Sequence, residues 1–413
     1  MRLKCLLIVG AAAVLIAGFA IAYRLRKKED SGQSDKIGPR LLWVFEAPKP
    51  GFVVAAPLIS DAAIFLAVGH TSGFHSRGAV YAVDPITGKS KWVFDRGGEM
   101  LPTASTPLLV GDRLFVGEGL HHNFACRLQC LDPRSGAAKW SFPTGDHIEG
   151  GAAVVDDTII FPAGNDGLYA LDSTTGKQKW NFSSGLHVDS TPWIENGRVY
   201  VGSGPSRRFD TLQAICLESK TGNPIWRTPV KLPAWGSPTV ARNRVFVGLG
   251  NGRLTMPAVA PEVPAGALAC FDAASGTELW NFGVGDAVFG RPAIVGETVV
   301  FGSRDRNLYG VSFEGREVFR IPMGGPVMAS ATASGGFVYC VSVPGRMVCL
   351  NPADGSEVWR YELSQRGAPA EVYSSPRVSG SRLYQAGEMK VGQAGYVCLH
   401  CLELPNTDDR ETK

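Results

Sequence analysis

An excess of charge of either sign is missing from this chain: 41 Lys and Arg stand against 38 Asp and Glu over 413 residues, a formal net charge of +3. That balance gives no footing for a nucleic-acid partner or an acidic tail. Low-complexity segments are lacking, as is a glycine-rich phosphate loop, and no spacing sets a nucleophile beside a His and an acid. A single Cys-x-x-Cys occurs, Cys398 and Cys401 in "CLHC", and without a second pair it is half of a metal or redox motif. Glycine and proline, by contrast, are plentiful: 50 and 27 residues, beside 45% hydrophobic residues, fit many short strands joined by tight turns.

The stretch "GLYALDSTTGKQKWNF" (167–182) reads as a strand, an Asp-to-Gly turn and a second strand opened by Trp180. The same spacing recurs at 80–94, 128–142, 214–228, 268–282, 308–321 and 347–361. Each turn glycine precedes an aromatic by four residues: Gly88 and Trp92, Gly136 and Trp140, Gly176 and Trp180, Gly222 and Trp226, Gly276 and Trp280, Gly315 and Phe319, Gly355 and Trp359. The sixth copy is shorter by one residue in its turn, Ser312 to Gly315, and has Phe319 for Trp, which predicts divergent packing there. A repeat of about 40 to 50 residues overrides the two or three domains that length alone suggests, and points to one closed array.

Between copies lie two further apolar stretches, as in "STPWIENGRVYVGSG" (190–204), so each unit holds four antiparallel strands. The last third strand, "GYVCLHCLEL" (395–404), has no Trp strand after it, while "LLWVFEA" (41–47) has nothing before it. Joining the two termini in one blade removes the exposed edges of an open array. The predicted fold is all-β, an eight-bladed β-propeller of four-stranded antiparallel blades closed by pairing of its N- and C-terminal strands and preceded by one N-terminal transmembrane helix. Trp43 and the seven aromatics above then contribute one ring per blade, each burying about 150 to 250 Å².

Residues 1–23 differ from the rest. Cys5 to Tyr23 is an uncharged apolar run of 19 residues, close to the roughly 20 that cross a bilayer, with Arg2 and Lys4 before it and "RLRKK" (24–28) after. It reads as an uncleaved single-pass anchor; a cleaved signal ending at Ala20-Ile21-Ala22 is the alternative, opposed by the basic residues directly behind it. Charge counting taken literally leaves the body in the cytoplasm. The expected organisation is an anchor or signal at 1–23, a basic polar linker at 24–40, the propeller at 41–404 and a polar tail at 405–413.

Cys130, Cys216, Cys270, Cys349 and Cys398 take the place of Ala170 in their copies and read as small buried strand residues. A two-residue Pro344-Gly345 turn would set Cys340 opposite Cys349, within reach of a disulfide in an exported body.

Strand order puts the Asp-to-Gly turns on one face and the strand-two-to-three and inter-blade loops on the other. That second face carries long insertions at 69–78, 117–125, 202–210 and 251–267, against the minimal "GNDG" (164–167). His70, His75, His121, His122, His147 and His187 all map to it. His147 with Glu149, and His187 with Asp189, occupy equivalent places on adjacent blades and supply ligand types for zinc or another divalent ion; a wet, polar channel mouth is the simpler alternative. Trp235, Phe289, Met328 and Tyr373 continue that ring as an apolar half, either an anchor for a partner, together with His75, His121 and His122, or a plug of mutually packed side chains. Arg207, Arg208 and Arg291 read as solvated.

The recurring "LYALD..TG..KW" resembles the quinoprotein-type (PQQ-like) β-propeller repeat, from 41 to 404. That family includes quinoprotein alcohol dehydrogenases and the non-catalytic assembly lipoprotein BamB, so the resemblance carries the fold and leaves the function open. For an enzyme it implies pyrroloquinoline quinone between a Trp and two adjacent cysteines, a calcium held by Glu, Asn and Asp, and an Asp base; no Cys-Cys dipeptide exists here. The expectation is therefore a BamB-like, membrane-tethered scaffold in the periplasm, held to the inner membrane by residues 5–23, without a cofactor and without nucleic acid, binding envelope proteins or peptides through the long-loop face. Cys5 precedes the apolar run, so the lipoprotein cysteine of BamB is missing. A quinone- or metal-dependent oxidoreductase or a ligand-sensing propeller is the alternative.

Overall fold

The computed structural model describes residues 38–72, 75–121, 123–183, 185–252, 263–363, 370–391 and 394–405; the predicted anchor, most of the linker and the polar tail beyond Pro405 lie outside them. No helix among the described residues is long and apolar enough to cross a membrane. The described chain is built from short antiparallel strands: β1 (Arg40–Phe52), β2 (Leu58–Ile59), β3 (Ile64–Ser72), β4 (His75–Val83), β5 (Ser90–Phe94), β6 (Leu108–Val110), β7 (Arg113–Gly117), β8 (Phe124–Leu131) and β9 (Ala138–Asp146). There follow β10 (Ala153–Val155), β11 (Thr158–Pro162), β12 (Leu168–Asp172), β13 (Gln178–Phe182), β14 (Trp193–Glu195), β15 (Arg198–Gly202), β16 (Gln213–Glu218) and β17 (Pro224–Pro229). The pattern repeats in β18 to β21 (between Thr239 and Val284), β22 to β25 (Ala293 to Pro322) and β26 to β29 (Thr332 to Glu362). The last strands are β30 (Ala370–Glu371), β31 (Arg377–Ser379), β32 (Arg382–Val391) and β33 (Ala394–Glu403).

Six sheets hold four strands each, in sequence order, from β6–β9 to β26–β29. The seventh holds nine because β1 is shared: its first half pairs with β33, Trp43 opposite Cys401, and its end pairs with β3, Phe52 opposite Gly69. The N- and C-terminal strands therefore lie side by side, as the unpaired third and fourth strands at the two ends predict.

The four-residue spacing from glycine to aromatic is a lock between neighbouring sheets. Gly88, Gly136, Gly176, Gly222, Gly276, Gly315 and Gly355 all have φ between +70° and +76°, and a Cβ on any of them would meet the aromatic of the preceding copy at 2.5 to 2.8 Å. Thus Gly222 lies on Trp180, and Gly88 on Trp43. Only glycine satisfies both the left-handed backbone and the contact. The turn that presents it is held locally: in four copies the Asp carboxylate (Asp84, Asp132, Asp172, Asp272) accepts the N–H groups two and three residues on and the Ser or Thr hydroxyl at the third. The indoles of Trp92, Trp180, Trp226 and Trp280 then donate to carbonyls of the next copy's turn at 2.7 to 3.1 Å.

The sixth copy keeps this lock. Its sheet is complete, Gly315 lies on Trp280 and Phe319 lies under Gly355. The facing strand supplies Gly310, where a Cβ would come within 2.2 Å of the Phe319 ring, so the smaller aromatic is matched by a smaller neighbour.

Near the inner strands a second belt runs from sheet to sheet. Thr106, Thr191, Ser237, Ser330 and Ser375 accept, through their hydroxyls, the N–H of Ala56, Gly151, Thr191, Arg291 and Ser330 respectively.

The divergent packing expected of the sixth copy is therefore not found, and three further sequence expectations fail. Cys401 rather than Cys398 takes the Ala170 slot, facing Trp43 as Cys216 faces Trp226. Cys340 and Cys349 are not opposite: Cys340 pairs with Val348 and Tyr339 with Cys349, because the turn is wider than Pro344-Gly345. Neighbours one apart in register face opposite sides of a sheet, and the two cysteines are buried in different clusters, with the Cys340 thiol pushed up to about 12 by burial. The 69–78 insertion is a continuation of the β3–β4 hairpin rather than an irregular loop, with His70 opposite Arg77 and Ser72 opposite His75.

Candidate functional site

On the long-loop face the segments after β7, β9 and β13 bring four side chains together. His121, His147, His187 and Asp189 each offer a ligand atom within 4.8 Å of the others. His121 comes from the link between β7 and β8, His147 directly follows β9, and His187 and Asp189 precede β14. Isolated bridges from Gly164 to Val188 and from His187 to Gly204 tie these segments to their neighbours. Gly164, with φ +50°, is required: a Cβ there would reach Asp146 Cγ at 2.9 Å and His147 Cε1 at 3.1 Å.

Each imidazole is gripped from both sides. His147 Nε2 is 3.1 Å from Asp189 Oδ1, and its Nδ1 is 2.7 Å from Asp146 Oδ1, close but poorly aligned for a hydrogen bond. His187 Nε2 is 2.8 Å from Asp189 Oδ2 and Nδ1 is 3.2 Å from Asn165 Oδ1. His121 Nδ1 is 2.7 Å from Glu149 Oε1, and its Nε2 is 3.9 Å from Asp189 Oδ2. The rings pack with centroids 4.8 to 5.6 Å apart, and Trp235 meets the edges of His121 and His187 at 6.4 and 6.0 Å.

Burial and charge oppose each other here. Burial disfavours the His147 cation, yet Asp146 and Asp189 outweigh it and raise His147 to about 11. Burial likewise would raise Asp189, but His187 and His147 hold it far below the usual carboxylate range; Asp146 is lowered against its own burial by His147 and Asn165. The Glu149 hydrogen bond raises His121.

Of the predicted metal set, His147, His187 and Asp189 meet directly, while Glu149 stands one step back on His121. His121, grouped with the partner residues from sequence, belongs to the cluster. Asp146 and Asn165 were missed; Asn165 Nδ2 donates to Asp146 Oδ2 and its Oδ1 accepts from Ser206 Oγ at 2.7 Å, which fixes the orientation of its amide. His122 and the His75 side chain lie outside the described residues. His70 is used elsewhere, its Nε2 2.8 Å from Tyr81 Oη.

Further round the rim, Phe289 and Tyr373 are half-buried and Met328 is buried. Arg291 is not solvated: its guanidinium lies 5.2 Å from the Trp193 ring and donates to Thr191 O at 3.2 Å and Pro192 O at 3.4 Å, and burial lowers it to about 10. Beside Tyr373, Glu371 and Glu388 face each other across β30 and β32. Burial, and then the Glu371 charge, push Glu388 up from 4.5 to about 7. A carboxyl with a raised folded value costs nothing when both states are protonated and carries its full penalty above the folded value, at most about 3 kcal/mol here. Glu388→Gln is therefore expected to match the parent below about pH 4 and to exceed its stability near about pH 8, read as the difference in urea midpoints.

The described cysteines are buried, and Cys130, Cys216, Cys270, Cys349 and Cys401 sit in strands facing blade aromatics, so these five do not supply the pair of adjacent cysteines that the resemblance implies for pyrroloquinoline quinone. No curated protein matches the chain. Among solved structures, BamB from Moraxella catarrhalis superposes with a TM-score of 0.64 at 15% identity, covering 88% of this chain and 98% of that one. Quinohemoprotein alcohol dehydrogenases from Comamonas testosteroni (TM-score 0.63, 13% identity, 90% and 78% covered) and Pseudomonas putida (0.62, 14%, 89% and 76%) share the propeller fold. The family model described as outer membrane protein assembly factor BamB matches residues 35–141, 124–212, 208–258 and 264–395. With that match spread over the repeat and its glycine–tryptophan lock, the chain belongs to the BamB-like family of PQQ-type β-propellers.

Proposed function

We propose that the chain is an eight-bladed, closed propeller that works as a non-catalytic scaffold, tethered to the inner membrane through residues 5–23 with its body in the periplasm, binding envelope proteins or peptides through the long-loop face. The nine-stranded sheet supports the blade count, since it divides into two groups of four, β31-β32-β33-β1 and β2-β3-β4-β5, with β30 at the edge. Membership of the BamB-like family supports the scaffold reading.

One observation carries the choice of face: Phe124, at the start of β8, and Val263, in the 251–267 insertion, are 70% and 76% exposed on the face whose rim includes Trp235, Phe289 and Tyr373. Apolar anchors with aromatic neighbours are what a protein partner desolvates. Photo-crosslinking from position 124 or 289 of the full-length chain in its own membrane is expected to yield a discrete adduct, whereas position 86 on the opposite face, where Ile86 is 72% exposed, yields none. Adducts from position 86 alone, or from none of the three, overturn this assignment.

A further inference from the structure

In a neutral imidazole one nitrogen carries a proton and the other a lone pair. The histidine cluster gives each ring two oxygen neighbours. Asp146, Asn165 and Glu149 face the Nδ1 atoms of His147, His187 and His121 at 2.7, 3.2 and 2.7 Å, while all three Nε2 atoms converge on the Asp189 carboxylate at 3.1, 2.8 and 3.9 Å. With the Nδ1–H of His187 and His121 donated to Asn165 and Glu149 and that of His147 facing Asp146, three lone pairs point at one carboxylate. Such an arrangement is satisfied either by three extra protons, on rings whose centroids are 4.8 to 5.6 Å apart, or by one cation at the point of convergence. One ion removes the repulsion that three imidazolium rings would impose on each other in a half-buried site.

We infer that His121, His147, His187 and Asp189 form a binding site for a divalent transition-metal ion, zinc(II) by ligand type. Zinc takes tetrahedral sets of imidazole and carboxylate with Zn–N near 2.0 to 2.1 Å, so its ligand atoms stand about 3.3 Å apart. The separations from the Asp189 carboxylate, 2.8 and 3.9 Å to Oδ2 and 3.1 Å to Oδ1, bracket that spacing, and the four ligand atoms all lie within 4.8 Å of one another. The outer contacts are those a metal histidine needs: a carboxylate or amide oxygen on the far nitrogen fixes the tautomer and the ring plane. Trp235 closes one side with its ring, and His121, whose side chain is 51% exposed, supplies the way in. Four protein ligands make this a closed, structural site, one that would pin the links after β7, β9 and β13 together at the rim. The site stands independently of whether the loop face binds protein.

The test uses the untagged full-length chain in detergent, stripped with a chelator and titrated with cobalt(II) and then zinc(II). One equivalent of cobalt(II) is expected, with the visible ligand-field bands of a tetrahedral site, displaced by zinc(II). His187→Ala abolishes the bands and His70→Ala, on the same face but bound to Tyr81, leaves them intact. Asn165→Ala keeps all four ligands and weakens binding by about 10- to 100-fold, the range for loss of an outer contact. Circular dichroism establishes that each variant is folded. Absence of stoichiometric cobalt(II) on the folded parent, or bands that survive His187→Ala, overturns the site.

Discussion

Trp180→Ala is expected to lower the stability of the propeller by about 3 to 5 kcal/mol, the cost of removing a buried large aromatic, read as a fall in the urea midpoint of the full-length chain. Trp180 is 8% exposed, its indole donates to Ser219 O at 3.0 Å, and the Gly222 backbone rests on its ring. The loss therefore removes three things at once: apolar burial, a hydrogen bond whose carbonyl partner stays behind, and the surface on which the next turn sits. Gly222→Ala attacks the same lock from the other side, since its φ of +73° strains any Cβ and that Cβ would stand 2.6 Å from Trp180 Cε3. Because the clash needs the tryptophan and the backbone strain does not, the double variant should cost less than the two single variants added. A coupling energy near zero would mean that glycine and tryptophan do not support each other. Trp180→Phe is not rescued by the precedent of Phe319. That ring leans over Gly310, whereas Trp180 faces Ala170.

The lock was legible because it is written locally. An Asp, a hydroxyl three residues on and a glycine at the turn's end make a motif whose hydrogen bonds stay within a few residues, so its repetition survives in the text of the chain. Where the turn is absent the reading slipped. The last repeat has no turn glycine or Trp strand of its own, and Tyr396-Val397-Cys398-Leu399 imitates Leu168-Tyr169-Ala170-Leu171 closely enough to misplace the slot by three residues, from Cys401 to Cys398. Cys340 failed for a related reason, since turn width at Pro344-Gly345 decides register and one residue of error reverses the face.

The histidine cluster was half legible. His147, His187 and Asp189 fall at equivalent places in successive repeats, so aligning the copies brings them to one rim. His121 lies in an insertion that no other copy shares, and nothing in its spacing says that the link folds back until its Nδ1 meets Glu149. Asp146 and Asn165 carry no signal of their own. Asn165 sits in the shortest of the turns and reads as turn chemistry, yet its side-chain amide bridges Asp146, His187 and Ser206 across three segments. Arg291 shows the limit from the other side, because only the fold reveals that an isolated basic residue lies over Trp193 and donates to two backbone carbonyls 99 and 100 positions away.

His147→Ala in metal-free protein is expected to destabilise the fold by about 3 to 5 kcal/mol, the cost of leaving buried charge without its partner. His147 is 3% exposed and stands between Asp146, 4% exposed, and Asp189, whose side chain is 10% exposed. Deleting the ring leaves two carboxylates facing a void that no other described contact of this cluster fills from the same position. His121→Ala is the informative contrast, because its side chain is 51% exposed and water replaces what it loses; its effect on metal-free stability should stay within about 1 kcal/mol. Both changes remove a proposed ligand, so both should abolish the stabilisation that zinc(II) confers on the parent. Loss of the zinc effect in the two variants, with metal-free stability falling sharply in one alone, separates the buried ion cluster that holds the rim together from the ion that it is built to receive. Equal metal-free losses would instead mean that His147 contributes no more than an exposed ring, and that Asp146 and Asp189 are compensated by other groups.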